Sequence, residues 1–148
     1  MSERISYSDE EDFPGQFFLW QANCERSLGG RLGQAALREL EAALVALPTK
    51  RLIANDLQTP EGDVCAIGAL ARHKGITPSP EGNVRGFDPE YEMEEIGVEC
   101  GMPRMVAWKA VEKNDIELGY VTPEERYTRM LDWVRSELSS RSPTGTGK

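Results

Sequence analysis

A chain of 148 residues, 39% hydrophobic and 28% charged, is long enough for one hydrophobic core and has an ordinary globular composition. Its formal net charge of −8 works against nucleic acid as a default partner, because phosphate binding needs surplus Lys and Arg. Three widely spaced cysteines and a single histidine, His73, match neither a disulfide framework nor a zinc site.

The first residues are polar and acidic, without the apolar stretch of a secretory leader, and no apolar run approaches the roughly 20 residues of a membrane span. The compartment these features suggest is a reducing cytoplasm with Cys24, Cys65 and Cys100 as free thiols. Residues 1–12, with the run Asp9-Glu10-Glu11-Asp12, are expected to be disordered. Phe13, Phe17, Phe18, Leu19 and Trp20 then bring aromatic residues in densely. Pro14 is expected to open a helix running to about Ser27, with the cluster in the core and an exposed partner-binding patch as the alternative.

Leu28-Gly29-Gly30-Arg31-Leu32-Gly33 reads as a flexible connector. Its glycines do not make a phosphate loop, since no strand precedes them and no Gly-Lys-Ser/Thr follows. Over residues 34–47, Leu37, Leu40, Leu44 and Leu47 recur at three and four residues. That period predicts an amphipathic helix with its leucines on the core, ended by Pro48. Residues 50–57 have the character of a short strand, and Thr59-Pro60-Glu61-Gly62 is turn chemistry, so a small hairpin near residues 52–64 is expected at most.

The stretch 62–71 is nearly uncharged and built of small residues. It predicts a helix over residues 62–73, with Asp63 as N-cap and Gly75 as the left-handed stop. Apolar residues on every face require that it be surrounded by protein. Between Gly75 and Pro89 the chain carries Pro78, Pro80, Gly82 and Gly86, a long connection of the kind that is mobile or functional. Asp88-Pro89-Glu90 predicts the start of a helix to about Cys100, and Gly101 breaks it. Pro103 opens a further helix ending at Asn114-Asp115. Thr122-Pro123-Glu124-Glu125 is a capping box opening the last helix, whose buried stripe is Tyr127, Met130, Leu131, Val134 and Leu138. The tail from residue 139 is expected to be disordered.

Three chemistries can be weighed. Cys65, in the first turn of a predicted helix, has the position that activates a thiolate. A cysteine-dependent enzyme also needs a base, however, and His73 would sit about 12 Å further along the same helix. A helix-turn-helix reading of residues 94–114 would put Arg104 and Lys109 on DNA, against Glu94, Glu95, Glu99 and Glu112 on the same two helices. The carboxylates Glu92, Glu94, Glu95, Glu99, Asp115 and Glu117 have no calcium-loop spacing and read as solvated surface. No metal or cofactor is implied.

The order Gln34-Ala35-Ala36-Leu37-Arg38-Glu39-Leu40, Leu47-Pro48, Arg51-Leu52-Ile53, Val64-Cys65-Ala66-Ile67-Gly68-Ala69-Leu70, Asn114-Asp115 and Thr122-Pro123-Glu124-Glu125-Arg126 resembles a family of small uncharacterised proteins encoded by bacteriophages, prophages and bacterial genomes. The likeness runs from Phe17 to Leu138, with Cys-Ala-Ile-Gly as its most specific piece. Tyr127 stands where that family's pattern leads one to expect Trp. The resemblance implies a genomic context and no activity.

The resulting expectation is a mainly α single domain over residues 13–138, with five or six helices around the buried small-residue helix. The leucine stripe and the Met130/Val134 face are expected to pack on that helix. By elimination, the expected function is a non-enzymatic cytoplasmic accessory protein that binds another protein. Asn83, Arg85 and Phe87 on the long loop are the expected partner-binding residues, and an acidic surface suits basic partners. A DNA-binding regulator and a Cys65 enzyme stand as alternatives.

Overall fold

The computed structural model describes residues 13–76, 89–115 and 121–140, apart from the side chains of 13–18, 89–92 and 139–140. The expected disorder of residues 1–12 and of the tail beyond residue 140 lies outside the described residues. The fold is mainly α, with six helices among the described residues: α1 Phe13–Gly29, α2 Arg31–Ala46, α3 Ala66–His73, α4 Pro89–Glu99, α5 Arg104–Asp115 and α6 Pro123–Ser140.

Helix α3 is the centre. Every residue from Val64 to Ala71 is buried, and α2, α4 and α5 all pack on it. Small side chains make that crowding possible. A Cβ on Gly68 would stand 2.2 Å from the Leu57 carbonyl oxygen, so the preceding irregular segment lies directly against the helix backbone. The helix stops where Gly75 takes φ +77, the left-handed conformation that glycine adopts without a Cβ penalty.

The start of α3 differs from the expectation. Cys65, not Asp63, is the N-cap, and its Sγ accepts the Gly68 N–H at 3.4 Å. Asp63 instead makes a bidentate pair with Arg51, at 3.0 and 3.1 Å. Residues 62–65 therefore precede the helix: Gly62 closes a turn at φ +99, and Cys65 is extended. They return alongside the segment before them through Cys65 N–H to Leu57 O (3.2 Å) and Ile53 N–H to Val64 O (3.0 Å). Among the described residues this yields no strand, only an isolated antiparallel bridge between Gln58 and Val64.

Helix α2 buries Ala36, Leu37, Leu40, Ala43 and Leu44 as its period demands. Lys50 Nζ closes its C-terminal end by donating to the carbonyls of Val45 (2.6 Å) and Leu47 (2.8 Å), a cation at the negative pole. Residues 28–33 are a correction of another kind. Only Gly30 separates α1 from α2, and a Cβ on Gly33 would stand 1.9 Å from the Ser27 carbonyl oxygen. The glycines there make a tight corner instead of a loose connector.

Helix α6 starts as the capping box requires. Thr122 Oγ1 accepts the Glu125 N–H and Glu125 Oε1 accepts the Thr122 N–H, both at 3.0 Å. Its buried face, with Tyr127, Met130 and Val134, packs on α2 and α5 and does not form a main wall of α3. The walls of α3 are α2, α4 and α5. Tyr127 fixes the α2–α6 contact by donating its hydroxyl to the Leu44 carbonyl at 2.9 Å.

Candidate binding surface at the α1–α2 corner

Cys65 is 1% exposed. Burial pushes its thiol up to about 12, outweighing the hydrogen bond from the Gly68 N–H that favours the thiolate. Its neighbour is Met93 Sδ at 3.7 Å, and His73 is exposed. A buried thiol held neutral in this way caps α3 and packs in the core, and it lacks the thiolate character of an activated cysteine. Cys24 and Cys100 are also buried, free and raised by burial.

The two basic residues of the helix-turn-helix reading are held by carboxylates of the same chain. Arg104 pairs with Glu95 at 3.1 Å and Glu94 at 3.9 Å, and Lys109 pairs with Glu112 at 3.0 Å. Helix α5 buries Val106, Ala107, Ala110, Val111 and Asn114, and Trp108 stacks edge-on against Trp20 of α1 at 4.3 Å. It is an interior element. No group of three or more His, Cys, Asp or Glu able to hold a metal occurs among the described residues. No helix of the described residues is long and apolar enough to cross a membrane. Asn83, Arg85 and Phe87 lie outside the described residues.

The surface that stands out is the corner between α1 and α2. Arg26, Ser27, Gly30, Arg31, Leu32, Gly33 and Pro103 line an open depression of about 330 Å³. The elements place these residues for identifiable reasons. Gly33 lets the first turn of α2 press onto the Ser27 carbonyl, so the corner turns within one residue and leaves Leu32 outside. Leu32 is 71% exposed and Leu19 62%, two of the three large apolar side chains that face solvent among the described residues. Leu19, Asn23 and Arg26 share one face of α1 by their spacing of four and three residues.

Charge sets the corner apart. Arg26 and Arg31 are exposed, and no lining residue is acidic. Arg26 donates to the Asn23 side chain, and neither arginine makes an ion pair among the described residues. A chain with net charge −8 thus presents, beside an exposed leucine, two cations without an ion-pair partner among the described residues. Reading 28–33 as a connector hid this. The available signal was Leu32 itself, an apolar residue in the first turn of a helix and off its leucine stripe.

In comparisons with known proteins, no family model, no curated protein and no solved structure matches the chain.

Proposed function

We propose that this is a small accessory protein that acts without catalysis, by binding another protein through the α1–α2 corner. The observation that carries the reading is Leu32, 71% exposed at the rim of a depression bearing two arginines. Large apolar side chains gathered with arginine and excluded from the core are the composition of a protein-binding patch. The burial of Cys65 supports the non-catalytic half of the proposal. The likeness to phage and prophage proteins supports a setting in which the partner is a host protein.

Affinity capture from a lysate of the host, with and without nuclease treatment, tests this. The expected result is one stoichiometric protein, unaffected by nuclease and lost with Arg31→Glu. Recovery of nucleic acid alone, weakening steeply as salt rises, would overturn it in favour of DNA or RNA binding.

A further inference from the structure

The depression has an acidic counterpart within the same chain. Asp9-Glu10-Glu11-Asp12 places four consecutive carboxylates immediately before α1, with Tyr7 two residues ahead of the run and Phe13 directly after it. Arg26 and Arg31 lie at the opposite end of α1 and in the first turn of α2. From Phe13 to Arg26 is thirteen helical residues, about 20 Å at 1.5 Å per residue. The acidic run begins four residues before Phe13, so even fully extended it covers about 14 Å of that span. Within one molecule only Asp9 comes near its own depression, and the run as a whole falls short. A second molecule carries no such restriction.

We infer that the α1–α2 corner receives the acidic segment 9–12 of a second copy of this chain. The inference rests on the corner being a protein-binding surface and names an occupant for it. Arg26 and Arg31 meet the carboxylates, while Leu32 and Pro103 give the flanking aromatic residues an apolar wall. The contact is heterologous: the tail of one molecule enters the corner of the next, which presents its own tail in turn. Whether two copies exchange tails reciprocally or a chain of copies forms, the mass rises with concentration. Most of its attraction is between exposed charges, which are screened beyond about 8 Å at physiological ionic strength. Association is therefore weak, reversible and strongest at low salt.

Sedimentation equilibrium of the full chain, at low and at high salt, tests the inference with two charge-reversed proteins. One carries Arg26→Glu and Arg31→Glu. The other carries Asp9→Lys, Glu10→Lys, Glu11→Lys and Asp12→Lys, all before α1 in sequence, and a thermal melt of each altered protein checks that it folds as the unaltered chain does. The unaltered chain should show a mass that rises with concentration and falls with added salt. Each altered protein alone should associate at least about tenfold more weakly, as several opposed charge pairs become like pairs. An equimolar mixture of the two should regain association, because each supplies the sign the other lacks. A monomer at every concentration and low salt would overturn the inference, as would association indifferent to salt or a mixture that fails to recover. Loss with the arginine variant but not with the lysine variant would assign the corner to a different acidic segment. If self-association fails while Arg31-dependent capture of a host protein succeeds, this inference falls and the protein-binding reading stands.

Discussion

Asn114, one residue from the end of α5, accepts the backbone N–H of Ala66, the first residue of α3, through Oδ1 at 3.0 Å. The same side chain donates Nδ2–H to the carbonyl of Ile53 and to Asp115 Oδ1, both at 2.9 Å. Its own carbonyl accepts from Arg126 Nε at 2.9 Å. The side chain, on a residue 2% exposed, therefore caps the central helix from outside and ties it to the irregular segment before α3, while the backbone carbonyl of the same residue makes the link to α6. Asn114→Ala should cost roughly 2–4 kcal/mol, since it orphans a buried donor and a buried acceptor together. Asn114→Asp keeps the acceptor for Ala66 but loses both donors and sets a charge beside Asp115, so it should not restore stability. Urea denaturation midpoints check both, and a loss under about 0.5 kcal/mol for the alanine variant would show the network to be dispensable.

Gly68→Ala should destabilise although alanine is the better helix former. The added methyl would meet the Leu57 carbonyl at 2.2 Å, and a backbone group cannot swing away as a side chain does. Overpacking of this kind costs about 1–3 kcal/mol, more than the ~1 kcal/mol gained in propensity. Gly33→Ala, at 1.9 Å from the Ser27 carbonyl, should behave likewise and open the α1–α2 corner. Gly97→Ala meets the Ala107 Cβ at 2.9 Å and should cost less, because both neighbouring helices can shift slightly. Thermal melts of the three variants give the order.

Thiol chemistry supplies a pH prediction. Burial raises Cys65 from an ordinary value of 9.0 to about 12, and it raises Cys24, Cys100 and Tyr127 in the same direction. The folded state thus holds the protonated thiol after the unfolded chain has released its proton. Stability from this source is complete below pH 9 and declines as pH climbs from about 9 towards 12. For Cys65 the decline is up to about 1.4 kcal/mol per pH unit. Thiol reagents should accordingly react with all three cysteines only at the rate of unfolding. Rapid modification of Cys65 in the native protein near neutral pH would contradict its burial and reopen the enzyme reading.

What the sequence made legible was local. The leucine period of α2, the capping box at Thr122 and the Gly75 stop depend on neighbours within one or two turns, and each appears where its residues place it. The N-cap of α3 was misread because Asp63 is the better intrinsic cap, yet Arg51, twelve residues earlier, takes its carboxylate. Gln34, a polar residue off the leucine stripe, is buried, donating to the carbonyls of Leu28 (2.9 Å) and Glu137 (3.4 Å). Glu137 lies more than a hundred residues downstream, and no window along the chain contains that pair. The α1–α2 corner was hidden for a related reason. A glycine that permits close packing and one that permits flexibility look alike in sequence, and only the Ser27 carbonyl against Gly33 separates them.

Thr122→Ala should cost about 1 kcal/mol, the usual worth of a side-chain N-cap. Glu125→Ala should cost less, since the Thr122 N–H that it releases is accessible to water. Equality of the two would indicate that the exposed half of the capping box matters as much as the cap itself.

The corner is tested most directly by Leu32→Ser, scored at once for stability and for partner capture from lysate. Leu32 is 71% exposed, so its loss should move the denaturation midpoint by no more than about 0.5 kcal/mol. Capture of the stoichiometric partner should fall to background in the same protein. Undiminished capture, or a fall in stability as large as that of a core leucine such as Leu40, would contradict a binding role for this surface.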